Sequence, residues 1–240
     1  MKRSLILGGS KGLGLALADE LAVYGFPPLI IARTDPHTDH TWLYGDLTIP
    51  ILWEGIAPVL SEVQYVFWVA GAFLRKPLTD CTQDELRNMT SVHLSGAIDA
   101  ITGIHRLMKL ARPLGAEPGR PYHLVTICST SSWRIRDNET IYCALKAAKA
   151  HFTRNFAREL VRDLPGSKVT LVHPGGMKTE NFWRDTAQDI TGFMDPRIVA
   201  LEIMERAYSQ KKVYDEYSIM RNDDGTPNVK EGIPTPESPF

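Results

Sequence analysis

Tyr142 and Lys146, four residues apart in the stretch YCALK, are the first pair in this 240-residue chain whose types and spacing suit a reaction. Residues i and i+4 share one face of a helix, which sets an ammonium beside a phenol. A free tyrosine titrates near about pH 10, and a neighbouring positive charge lowers that value toward one useful for proton transfer. A solvated helix face also presents such pairs, so the pair needs companions. Near the N-terminus Gly8, Gly12 and Gly14 are spaced G-x3-G-x-G. Glycine permits a sharp turn and close backbone approach, and a helix starting near Gly14 presents free N–H groups to a pyrophosphate. A plain turn between a strand and a helix is the alternative. His37 and His40 form an H-x2-H with no further ligand cluster, so no metal is expected.

The elements that must position these groups follow from periodicity. Five short apolar runs, at 4–7, 28–32, 65–69, 123–128 and 169–172, read as strands buried on both faces. Helical patterns lie between and after them, at 14–24, 83–110, 141–164 and 196–209. Strand and helix in regular alternation predict an α/β fold, a doubly wound parallel sheet in a single domain over 1–221. The segment 111–121, rich in Pro and Gly, reads as a loop. From Asn222 the composition shifts to Asp, Gly, Pro and Glu, and 222–240 is expected to be an extended tail.

Bulk composition narrows the functional class. The net charge is -1, so no strong field points to nucleic acid or to an acidic membrane. An apolar fraction of 43% without an 18-residue apolar run argues against a membrane span. Cys81, Cys128 and Cys143 lack metal-type or CxxC spacing and fit reduced thiols. A soluble, cytoplasmic protein is expected.

Five motifs occur in order: GGSKGLG at 8–14, VAG at 69–71, ICS ending at Ser129, Tyr142-x-x-x-Lys146, and HPGGMKT at 173–179. Together they resemble the short-chain dehydrogenase/reductase family over residues 3 to 221. The resemblance implies a seven-stranded Rossmann-like sheet, a nicotinamide cofactor and hydride transfer. It implies that Tyr142 gives a proton to a substrate carbonyl, that Lys146 lowers the phenol's pKa and holds the nicotinamide ribose, and that Ser129 steadies the carbonyl oxygen as charge develops. Ser129 lies 13 residues before Tyr142, the family's usual separation, whereas Ser131 and Ser132 stand 11 and 10 residues away. The same resemblance assigns the cofactor to Gly8, Ser10, Lys11, Gly12, Leu13 and Gly14, and to Arg33 and Thr34 after the second strand. Asp46 and Leu47 would meet the adenine. Ala70 and Gly71 would follow the fourth strand, and Pro174, Gly175 and Thr179 would flank the nicotinamide.

Two departures stand out. Where the family has Asn-Asn-Ala-Gly this chain reads Trp68-Val69-Ala70-Gly71, and His93 occupies the position of the family's catalytic asparagine. Histidine both donates and accepts, so a proton relay and a core histidine are both open readings. At the end of the second strand Ala32 replaces the carboxylate of NAD enzymes and Arg33 follows. With Lys11, Arg33 favours the 2′-phosphate of NADP. The other reading has Arg33 solvated and Asp35 serving the ribose. Trp133, Phe182, Trp183, Phe193 and Met194 fall in the family's substrate-lining segments and suggest a small apolar or aromatic ketone or aldehyde. Arg134 and Arg136 lie beside them. A homodimer or homotetramer is expected, with Ala144, Ala147, Ala148 and Ala150 allowing close helix approach. A non-catalytic NADP(H)-binding regulatory module is the alternative function.

Overall fold

The computed structural model describes residues 2–49, 51, 53–111, 119–184 and 186–234. In chain order the elements are β1 (Arg3–Leu7), α1 (Gly12–Val23), β2 (Pro28–Ala32), β3 (Thr41–Tyr44), α2 (Ala57–Leu60), β4 (Val63–Trp68) and α3 (Gln83–Thr90). A π-helical turn (Ser91–Ser95) then leads into α4 (Gly96–Leu110). β5 (His123–Ile127), α5 (Thr140–Asp163), β6 (Lys168–Pro174), α6 (Glu180–Trp183), α7 (Pro196–Ser209), β7 (Tyr214–Arg221) and β8 (Pro227–Glu231) complete the chain.

The strands form one sheet in the order β3-β2-β1-β4-β5-β6-β7-β8. Every neighbouring pair is parallel except β7 and β8. The seven-stranded expectation is corrected to eight. Residues from Asn222, expected as an extended tail, turn back through Gly225 and pair antiparallel with β7, Tyr217 opposite Glu231. The loop expected at 111–121 lies largely outside the described residues.

β1, β2 and β5 carry the apolar runs that a doubly covered strand needs, and they are buried almost throughout. β4 distributes its residues by the period of two. Val66 and Trp68 pack toward α4 and α5, while Tyr65 and Phe67 pack toward α1 and α7. β3 and β7 escape that pattern. TWLY in β3 is an exposed edge, and β7 carries Asp215 and Glu216 inside an otherwise apolar stretch.

The single helix expected over 83–110 is three pieces. A capping box starts the first, with Thr82 Oγ1 accepting from Glu85 N–H and the Glu85 carboxylate accepting from Thr82 N–H. The π turn then inserts an extra residue into the ladder and turns His93 inward. Gly96 closes the turn because a Cβ there would stand 1.6 Å from the Leu47 carbonyl oxygen. Among the described residues no helix is long and apolar enough to cross a membrane.

Candidate active site

The glycine loop is shaped for backbone-to-backbone approach. A Cβ on Gly14 would stand 2.1 Å from the Gly8 carbonyl oxygen, and Gly8, at φ +91°, lies flat against Ala70. Lys11 is the N-cap of α1 and supplies no side-chain cap, so the first N–H groups of the helix are free of one. Leu13 turns its side chain into the core, leaving only its backbone to the loop. Gly12 brings Thr179 within contact, its Cγ2 3.0 Å from a Cβ built there. Residues 167 positions apart in sequence thus border one cleft. That cradle fits the pyrophosphate of a dinucleotide: it has open helix N–H groups and no room for side chains.

The rim of the loop is equally specific. Thr34 Oγ1 donates to Ser10 Oγ at 2.9 Å, joining the strand-two end to the glycine loop. Arg33 and Lys11 are both exposed beside that contact. Asp35 is committed to its own turn, accepting from His37 N–H at 2.7 Å. His40 turns to Asp19 on α1 at 2.8 Å. Asp46 accepts from Thr48 N–H at 2.9 Å, which fixes the loop carrying Leu47. Ala70 N–H donates to the Leu7 carbonyl at 2.7 Å, and Gly175 N–H, just past Pro174, donates to the Ile219 carbonyl at 2.8 Å.

At the centre Ser129, immediately after β5, hydrogen-bonds the phenol of Tyr142. The rival serines are engaged elsewhere. The Ser131 side chain bonds Glu139 and Cys143, and Ser132 Oγ lies 2.9 Å from His173 Nδ1. Lys146 Nζ sits over the Tyr142 ring, 5.4 Å from its centroid. Burial dominates the electrostatics here. It pushes the Tyr142 phenol well above the ordinary tyrosine range, with the Ser129 bond acting against it. The same burial pulls the Lys146 ammonium below its usual value. The lysine's lowering of the phenol, expected from spacing alone, is therefore not the leading effect in this cleft.

His93 is fully buried in the π turn. Its Nε2 lies 2.6 Å from the Ala72 carbonyl oxygen, and its Nδ1 is buried without a partner. A Cβ on Gly71 would meet His93 Cε1 at 2.9 Å, Lys146 Nζ at 3.5 Å and His93 Nδ1 at 3.6 Å, so imidazole and ammonium border one small space. Burial, with the Lys146 charge second, drives the imidazole well below its ordinary value, so it is neutral.

Sequence reasoning missed three groups. Lys149, one turn beyond Lys146, is fully buried with Nζ 4.1 Å from the Trp68 ring centre and 3.3 Å from the Trp68 carbonyl oxygen. The i+3 spacing of two lysines was its only signal. Phe73 stacks on Phe182 at 5.0 Å and meets Tyr142 edge-on at 4.9 Å. His173 and Glu216 pair at 2.9 Å.

The expected substrate wall divides. Phe182 and Trp183 join Phe73 around Tyr142, while Met194 is a core residue and Trp133 packs edge-on against His173. Phe193 contacts Trp183 on one side and the Arg221 guanidinium on the other.

The fold recurs in solved structures. A short-chain dehydrogenase from Streptomyces avermitilis superposes with a TM-score of 0.72 at 21% identity, covering 93% of this chain and 89% of that one. Residues 52–224 match the family model described as enoyl-(acyl carrier protein) reductase. The chain belongs to the short-chain dehydrogenase/reductase family. It is accordingly an oxidoreductase that uses a nicotinamide cofactor. An alcohol dehydrogenase from the archaeon Thermococcus sibiricus, solved in complex with 5-hydroxy-NADP, has a TM-score of 0.75 at 20% identity, covering 94% and 97% of the two chains. An uncharacterized oxidoreductase of Staphylococcus epidermidis is 23% identical over 191 residues, 74% of this chain and 79% of its own. Within this family the Rossmann-like sheet and the Tyr142–Lys146 helix are the expected frame. Trp68, Val69 and His93 are where this chain departs from the asparagine pattern set out above.

Proposed function

We propose that the protein is an NADP(H)-dependent reductase of small apolar or aromatic ketones and aldehydes, able to run in reverse on the matching alcohols. The observation that carries this reading is the Ser129–Tyr142 hydrogen bond beneath the aromatic wall of Phe73 and Phe182. A phenol held above its ordinary pKa keeps its proton at neutral pH and is a donor to a substrate carbonyl oxygen. Ser129 fixes the direction of that O–H and offers its own hydroxyl to the same oxygen as negative charge develops there. A dinucleotide held by its pyrophosphate in the glycine cradle would supply the hydride from its nicotinamide end. Lys146 lies over the phenol ring, poised for the ribose hydroxyls, and His93 Nδ1 borders the space beside its ammonium. That neutral ring can accept a hydrogen bond at Nδ1 without taking the proton itself, so His93 stands in for the asparagine of the family pattern.

The NADP preference rests on the Ser10–Thr34 contact, on exposed Arg33 and Lys11 beside it, and on Asp35 being committed to its own turn. The NADP-type ligand of the T. sibiricus fold relative supports the same choice. Phe73, Phe182 and Trp183 favour a flat or apolar substrate. Dimer or tetramer assembly is part of the reading. Ala144 and Ala147 lie exposed on α5, ready for close approach, while Ala150 is spent against Cys128 and Leu171. The cysteines Cys81, Cys128 and Cys143 are free thiols, which supports a cytoplasmic setting. A panel of carbonyl compounds followed by NADPH absorbance tests the whole reading, with consumption by at least one aromatic or aliphatic ketone expected. No oxidation of NADPH by any member would overturn it.

A further inference from the structure

His173, the β6 residue just before Pro174, is fully buried, and the chemistry above makes no use of it. Its Nε2 lies 2.9 Å from Glu216 Oε1 on β7. Its Nδ1 lies 2.9 Å from Ser132 Oγ and 3.3 Å from the Ser129 carbonyl oxygen. A carboxylate only accepts, so Nε2 carries a proton; an unprotonated Nδ1 would accept from the Ser132 hydroxyl and give the Ser129 carbonyl nothing, whereas a protonated Nδ1 holds both oxygens of the turn. Glu216 is itself fixed. Arg154 on α5 donates to its two oxygens at 2.6 and 3.1 Å, and the Tyr214 hydroxyl donates to Oε2.

The two contacts of Nδ1 are the two ends of one tight turn. Ser132 N–H donates back to the Ser129 carbonyl at 3.1 Å, and Ser131 N–H donates to Ser129 Oγ at 3.1 Å. Whatever grips the Ser129 carbonyl and Ser132 hydroxyl therefore sets where Ser129 Oγ points. We propose that His173, kept as an imidazolium by Glu216, is a positioning residue that clamps the 129–132 turn and aims the Ser129 hydroxyl at Tyr142. This rests on the reductase reading for its kinetic consequence, though not for the state of the ring.

The charges around the ring are mixed in sign. Glu216 from β7 favours the imidazolium; Cys128 after β5, whose thiol donates to the Lys146 carbonyl at 3.1 Å, faces it too; Tyr214 and Arg154 act through Glu216; and Lys146 and Lys149 of α5 bear on the same Cys128. Burial opposes the charge, yet Cys128 and Glu216 together outweigh it and hold His173 up at about 9. The clamp is then present at neutral pH and released as pH rises through that value.

The test combines histidine-ring NMR with a pH profile on the full chain. In the wild type the His173 ring is expected to remain doubly protonated at pH 7.5. Glu216→Gln keeps the side-chain shape and removes the charge, and is expected to lower the ring's titration by roughly one to three units. The alkaline limb of kcat should move down with it, costing about tenfold in kcat per unit at a pH above both values, with the cofactor KM within about twofold. Glu216→Asp, which restores a carboxylate, should recover part of the shift. A neutral His173 in the wild type at pH 7.5, or a kcat profile unmoved while the ring titration shifts, overturns the proposal. A wild type that consumes no NADPH with any carbonyl defeats the reductase reading instead, and the ring titration then judges the clamp by itself.

Discussion

Ser129 and Tyr142 share a hydrogen bond across the end of β5 and the first turn of α5, and the two neighbouring serines do not reach that phenol in the same way. The bond joins a group that steadies an oxygen to one that gives it a proton. Tyr142→Phe keeps the ring in its aromatic setting and removes only the proton donor. Turnover is expected to fall by about 10²–10⁴, with NADPH affinity within a few-fold. Steady-state rates on the best carbonyl of the panel check it, and nearly unchanged turnover would remove Tyr142 from the mechanism.

The proposed NADP preference is tested at Arg33. A charge-assisted hydrogen bond is worth about 1.5–3 kcal/mol, so Arg33→Ala should weaken NADPH by roughly tenfold to a hundredfold. NADH, which lacks the 2′-phosphate, should bind as before. Ala32→Asp adds a carboxylate at the strand end and should penalise NADPH further while offering the NADH ribose a partner. Cofactor fluorescence titrations on the wild type and both variants measure this. Equal wild-type affinity for the two cofactors would count against the assignment.

Gly14→Ala places a Cβ 2.1 Å from the Gly8 carbonyl oxygen, and a backbone atom cannot swing aside as a side chain does. The loop must open or the helix must move. Overpacking of this kind costs about 1–3 kcal/mol, and each kcal/mol corresponds to roughly 2–4 °C in Tm at this chain length. Both the melting temperature and NADPH affinity are expected to drop. A variant that melts and binds like the wild type would mean that the turn has slack.

Lys149 gives a pH-dependent prediction. Burial, with the Lys146 charge second, drives its ammonium well below the ordinary lysine value. The unfolded chain keeps that proton up to about pH 10.4, so it binds more protons than the folded chain below that value. Stability contributed at this site therefore rises with pH from the folded value up to the ordinary one. Lys149→Met, similar in length and free of charge, is expected to raise Tm, and to raise it more at pH 6 than at pH 9. Thermal melts across that range decide it; a gain that is equal at both pH values would show that Lys149 keeps its proton in the folded chain across that range.

Much of this was legible before any coordinates. The runs at 28–32 and 123–128 read as doubly covered strands, since short, mostly apolar runs with no polar alternation leave no solvent face. The start of α7 at Pro196 follows from the proline and the Asp195 cap before it, whose Oδ1 accepts from Arg197 N–H at 2.8 Å. β3, β7 and β8 were illegible for the opposite reason. β3 and β8 are largely exposed and β7 mixes charged with apolar residues, so pairing at the sheet edges, more than any apolar run, makes them strands.

The sequence by itself determined the local chemistry: glycines that let α1 meet β1 closely, a tyrosine and a lysine on one helical face, and an arginine where a carboxylate would select the other cofactor. Those depend on spacings of a few residues, which one helix or one turn converts directly into geometry. Tertiary structure alone decided which serine reaches Tyr142, where the extra residue of the π turn sends His93, and that Lys149 ends against Trp68. It also decided that His173 lies between Glu216 and the serine turn, 43 residues from the first and 44 from the second. Each of these is a contact between segments that meet only when the sheet closes; burial leads in setting how Tyr142, His93 and Lys149 hold their protons, while at His173 the neighbouring groups outweigh it.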